Sequence, residues 1–105
     1  MSCMRPDAKL DQFVASLDGD QMLDAVPDTV VAPLRGVWHA LRGEWQAAHD
    51  AVQDDTDECS WVHAALHREE GDLSNAGYWY RRCSRPVAQG EMRVEYLAIA
   101  KELMG

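Results

Sequence analysis

Positive charge is scarce in this chain: ten Lys and Arg stand against 18 Asp and Glu, giving a formal net charge of −8. Phosphate backbones and acidic lipid surfaces are bound through clustered Lys and Arg, so neither nucleic acid nor a membrane is expected as a partner. The only basic knot, Arg81, Arg82 and Arg85, falls at the end of a helical segment, where the helix dipole already accounts for it. Long apolar runs are missing as well. None approaches the ~20 residues of a membrane span, and the opening MSCMRPDAKLDQF has no apolar core of a secretory leader. Cysteine is limited to three residues without framework spacing, which fits reduced thiols and a cytoplasmic location. The sequence also contains no Gly-rich phosphate cradle, no Gly-x-Ser-x-Gly elbow and no Cys-x-x-Cys pair. The runs Asp18 with Asp20, and Asp54, Asp55 and Asp57, lack the glycine and terminal glutamate of a calcium loop and read as caps and solvent-facing charge. These templates are absent, and the sequence leaves catalytic residues unknown.

Period-2 alternation bounded by hairpin turns is the last absence, and it excludes a β fold. The remaining signals are helical, and 105 residues suffice for one core in a single domain spanning 1–105. The first helix is expected over 6–18, with Pro6 in the first turn, Leu10, Phe13, Val14 and Leu17 on one face, and Gly19 as the stop. A short piece follows, capped by Asp20 and ended by Pro27. A second long helix starts between Asp28 and Pro33 and runs to Gly43, on the argument that Pro33 belongs in a first turn. The third spans 44–53. The fourth is capped by Asp57 and ends at Gly71; the fifth is capped by Asp72 and closed by Pro86; and the last covers 91–104. The architecture expected is an all-α, compact bundle of about six helices.

Shifting the sequence by 28 residues lays HALRGEWQAAHDAV over HREEGDLSNAGYWY. His39 meets His67, Gly43 meets Gly71, Trp45 meets Leu73, Ala48 meets Ala76 and Val52 meets Tyr80. Each copy reads as a helix, a Gly-acid turn and a second helix, in which a small residue lets backbones approach while a large one covers the core. Two antiparallel hairpins are therefore expected, over about 33–55 and 57–85, flanked by the terminal helices.

This pattern resembles the tetratricopeptide repeat over about half the chain. The second copy carries Ala64, Gly71, Asp72, Leu73, Ala76, Tyr80 and Cys83, and the first carries Gly36, Gly43, Trp45, Ala48 and Val52. The chain departs from that family in its period, which is 28 rather than ~34 residues. It also departs at His63 and His67, which stand where the family has large apolar residues, and at Asp55, where it has a small one. The resemblance implies a protein-interaction scaffold. The run LHREEGDLSNAGYWYRR is also similar to a signature of small uncharacterised bacterial proteins, which brings no activity with it.

On the fourth helix Cys59, His63, His67 and Glu70 fall at i, i+4, i+8 and i+11, within a stripe roughly 80° wide at about 100° per residue. The histidine pair has the spacing that lets two imidazoles reach one Zn²⁺, with a third ligand from a neighbouring helix, His39 or else His49. The residues between the histidines are Ala64, Ala65 and Leu66, so the general base of a His-Glu-x-x-His protease is missing. The competing reading makes both histidines packing residues and Arg68, Glu69 and Glu70 a solvated face. Cys59 with His63 is a weaker thiolate–imidazole candidate, because buried cysteine is usually a small hydrophobe.

On the fifth helix Leu73, Ala76, Tyr80 and Cys83 share the core face, Trp79 lies at its border, and Tyr78 points away. Tyr78 is either packed beneath the C-terminal helix or exposed as a binding anchor beside Arg82. Trp38, Trp45 and Trp61 read as core knobs. Two functions follow. The first is a helical module binding a protein or peptide, or a second copy of itself, through His63, His67, Glu70, Tyr78, Trp79 and Arg82, with basic partners favoured by the charge. The second is a small-ligand or metal-binding protein, an enzyme among the options, in which His39, His63 and His67 converge in a pocket between the hairpins, with zinc as the ion.

Overall fold

Helix ends in this chain are written by glycines and capping side chains. The computed structural model, which describes residues 8–19 and 28–104, places six α-helices and no strand among them. These are α1 (Ala8–Ser16), α2 (Asp28–Leu41), α3 (Trp45–Ala51), α4 (Asp57–Glu70), α5 (Leu73–Arg82) and α6 (Met92–Met104). The protein is an all-α bundle, as its periodicity indicates. The expected start at Pro6 and the short segment at 20–26 lie outside the described residues.

Gly43 and Gly71 end α2 and α4 with φ of +80° and +90°, a left-handed conformation that costs glycine little and other residues about 1–2 kcal/mol. Asp72 caps α5, its carboxylate accepting from the Asn75 amide at 3.3 Å. One boundary and one proline position differ from expectation. Thr56, not Asp57, caps α4: the Thr56 hydroxyl accepts from the Cys59 amide at 3.1 Å, and Asp57 becomes a first-turn acid complementing the dipole. Pro33 lies a turn deeper in α2 than its missing amide favours, because the helix already begins at Asp28.

The packing order positions everything that follows. α2 packs against α3, and α4 against α5; α4 also touches α2 and α3, while α6 lies across α2 and α4 and holds α1. Ala48 and Ala76 are both fully buried, as are Val52 and Tyr80, so the repeated small and large positions do face the core. The match fails at the pair Trp45 and Leu73. Trp45 is half-buried and its indole donates to the Leu66 carbonyl at 2.9 Å, whereas Leu73 is 64% exposed. α4 covers α3, but α6 covers α2 and α4 and leaves the corresponding end of α5 to solvent.

Arg68, which the competing reading of the histidines puts on a solvated face, is instead held inward. Its Nε donates to Glu95 Oε1 at 3.0 Å and its Nη1 to the Gly90 carbonyl at 3.0 Å. Tyr80 donates its hydroxyl to the other Glu95 oxygen at 2.5 Å, and Tyr96 donates to Glu69 at 2.6 Å. Glu95 is only 6% exposed, and these partners meet both of its carboxylate oxygens. Burial together with the two carboxylates pushes both tyrosine hydroxyls well above their usual range.

Candidate functional site: three histidines between α3 and α4

The i, i+4 spacing on α4 puts His63 and His67 one turn apart on the side that meets α3, and α3 brings His49 to them. One ring nitrogen from each of the three lies within 4.8 Å of the others. His63 Nε2 and His49 Nε2 are 3.0 Å apart. The ring centroids are separated by 4.5 Å for His49 and His63, 5.1 Å for His63 and His67, and 5.5 Å for His49 and His67. Three imidazoles bound tetrahedrally to one Zn²⁺ through nitrogens at about 2.0–2.1 Å place their centroids roughly 5 Å apart. The apposition therefore has the dimensions of a metal centre.

Hydrogen bonds fix which nitrogen carries each proton. His67 Nδ1 donates to Glu70 Oε2 at 2.6 Å, leaving its Nε2 as an acceptor, which the Asn75 amide nitrogen approaches at 3.4 Å. The Gln53 amide donates to the His49 carbonyl at 2.6 Å and stands 3.3 Å from His49 Nδ1. That makes Nδ1 the acceptor and Nε2 the donor toward His63. These tautomers are assigned from the hydrogen-bond network. The carboxylate on His67 is the outer-sphere partner that metal-binding histidines use to fix their tautomer.

The walls are aromatic. Trp79 stacks on His63, with centroids 4.0 Å apart and planes within 4°, and Trp45 stacks on His49 at 4.9 Å. His63 is 6% and His67 7% exposed. Burial, then the neighbouring His49 and His67, lower the His63 pKa from 6.5 to about 4, so the ring is neutral at pH 7 and open to a cation.

His39 does not join the cluster. Its Nδ1 hydrogen-bonds Glu44 Oε1 at 2.8 Å across the turn after α2 and its ring packs edge-on to Trp38; this bond pulls the Glu44 carboxyl below its usual range. The proposed third ligand is thus corrected from His39 to His49. Sequence reasoning held His49 as the alternative; only the docking of α3 on α4 selects it. Cys59 is buried with its thiol raised by desolvation, and no hydrogen bond joins it to His63 among the described residues, so the thiolate–imidazole pair is not formed.

Of the remaining site residues, Glu70 supports His67, and Trp79 backs His63. Tyr78 is 47% exposed, because α6 packs chiefly against α2 and α4 rather than over α5. Arg82 extends over both aromatic rings, 6.0 Å from Tyr78 and 5.2 Å from Trp79, and pairs with Asp55. Trp38 and Trp61 are buried as expected, and Arg85 lies over Trp61 at 3.4 Å. No helix among the described residues is long and apolar enough to cross a membrane. No known protein family, curated protein or solved structure matches the chain.

Proposed function

We propose that this is a transition-metal-binding helical protein in which His49, His63 and His67 hold one divalent ion, with Zn²⁺ the ion best suited to three neutral imidazoles. The observation that carries this reading is the convergence of three ring nitrogens within 4.8 Å; Glu70 and Gln53 stand at the outer nitrogens of His67 and His49, and His49 ligates once its proton moves from Nε2 to Nδ1. Because His49 lies on α3 and the other two on α4, the ion fastens one helix pair to the other. The role this supports is structural or metal-carrying. The pairs α2–α3 and α4–α5 are read as tetratricopeptide-like hairpins, a reading supported by the equivalent glycine turns and buried alanines.

Zinc or nickel in modest excess is expected to raise the melting temperature by several degrees, since a ligand at a hundred times its Kd contributes about 2.7 kcal/mol. His49→Ala, His63→Ala and His67→Ala each abolish the shift, and His39→Ala retains it. Thermal melts with and without metal decide the matter. An unshifted parent protein, or a shift lost in the His39 variant and kept in the His49 variant, removes the reading.

The exposure of Tyr78 favours a second reading, in which α5 presents Tyr78, Trp79 and Arg82 to a basic peptide, the partner the net charge of −8 attracts. Tyr78→Ala is expected to keep stability within about 0.5 kcal/mol and to weaken binding across a panel of basic peptides at least about tenfold. Equal peptide binding by parent and variant, measured by fluorescence titration, counts against it.

A further inference from the structure

We infer that Asn75 is the fourth ligand of the three-histidine centre, supplying its amide oxygen, so that the bound ion is closed to water and to exogenous anions. This rests on the metal-binding reading above.

Three imidazoles leave one position of a tetrahedral ion to fill. Neither a cysteine nor a carboxylate joins the three histidines among the described residues; Glu70 and Asp72 form a separate group with His67 that does not include His49 or His63. The fourth donor is then a neutral oxygen, from water or from an amide. The Asn75 amide is 3.4 Å from His67 Nε2, and two ligand atoms of one tetrahedral Zn²⁺ lie roughly 3.3 Å apart. Asn75 is half-buried, and the Asp72 cap on its backbone amide fixes it in the first turn of α5.

The amide suits both states of the site. Without metal its N–H donates to the lone pair that Glu70 leaves on His67 Nε2, satisfying a buried acceptor. With metal that lone pair is taken, and a half-turn of the side-chain amide brings Oδ1, an oxygen donor, to where the N–H stood. The two orientations differ by one torsion and exchange N for O at nearly the same place. Ligation would then draw on α3, α4 and α5, connecting both members of the second helix pair to the first.

Cobalt(II) in place of zinc gives visible bands that report coordination, and azide probes for an exchangeable position. The parent protein is expected to show cobalt bands that azide leaves unchanged. Asn75→Ala, which keeps the backbone amide that Asp72 caps, is expected to show bands that azide shifts and a zinc Kd weaker by about tenfold or more. Asn75→Asp, offering a carboxylate oxygen, restores insensitivity to azide and binds zinc at least as tightly as the parent. Circular dichroism without metal checks that the variants are folded. If azide shifts the bands of the parent as it does those of Asn75→Ala, or if Asn75→Ala binds zinc like the parent, Asn75 is not a ligand. The azide response of the parent alone decides this even where a variant misfolds. A parent protein with no cobalt bands overturns the three-histidine reading itself, and this inference with it.

Discussion

At the scale of residues, the site is a matter of which nitrogen each imidazole has left over. Glu70 and Gln53 stand at the outer nitrogens of His67 and His49, the inner nitrogens converge, and the inner nitrogen of His49 carries the proton until the ring changes tautomer. Crowding of this kind disfavours protons: burial with His49 and His67 alongside holds the His63 pKa to about 4, while in the unfolded chain the ring titrates near its ordinary ~6.5. The unfolded state therefore takes up the proton first as pH falls, so this contribution to stability is complete above about 6.5 and is lost progressively toward 4. Urea unfolding of metal-free protein between pH 7.5 and 5, above the carboxylate range, is expected to show falling stability. His63→Phe removes most of that slope, and a slope of the same size in the variant would contradict the assignment.

At the same scale, His63 and His67 were legible as a pair because one helix relates them by a fixed rotation. His39 was misplaced because its ring answers to Glu44, five residues away in sequence and brought near by the turn. Arg68 and Glu95 were illegible for a related reason: each reads as surface charge until two helices pack and place them 3.0 Å apart.

At the scale of elements, the helices followed from glycine, proline and capping chemistry, with errors of a few residues where two caps compete. Thr56 and Asp57 are both good cap residues, and the choice falls to the one whose oxygen meets the Cys59 amide. The close approach of α2 and α3 depends on Gly36. A Cβ there would stand 2.5 Å from Val52 Cγ1 and 3.1 Å from Val62 Cγ1, and both valines are fully buried. Gly36→Ala is accordingly expected to destabilise the fold by about 1–3 kcal/mol through overpacking, despite the better helix propensity of alanine. Equilibrium denaturation measures it, and a neutral or stabilising result would mean that α2 and α3 can part at no cost.

At the scale of the whole molecule, polar groups lie at several of the contacts between helices. Between α3 and α4 lie the histidines and the Trp45 indole on the Leu66 carbonyl; between α4, α5 and α6 lie Arg68, Glu95, Tyr80 and the Tyr96–Glu69 bond. Such groups are costly when unpaired and well placed when satisfied. Arg68 Nη2 is buried without a hydrogen-bond partner, and an ion bound to the histidines would act at one of these seams.

The sequence by itself determined that the protein is all-α, where most helices begin and end, which alanines and glycines face neighbours, and that His63 and His67 share a face. These properties depend on local backbone preference and on the 3.6-residue period, both of which are carried within a few turns of chain. Tertiary packing alone decided that His49 rather than His39 completes the cluster, that Asn75 stands beside it, that Glu95 is buried against Arg68, and that Tyr78 and Leu73 remain in solvent. Each of these depends on the rotation of one helix about its axis against another, a quantity set by the joint fit of side chains across the core and encoded in no single segment.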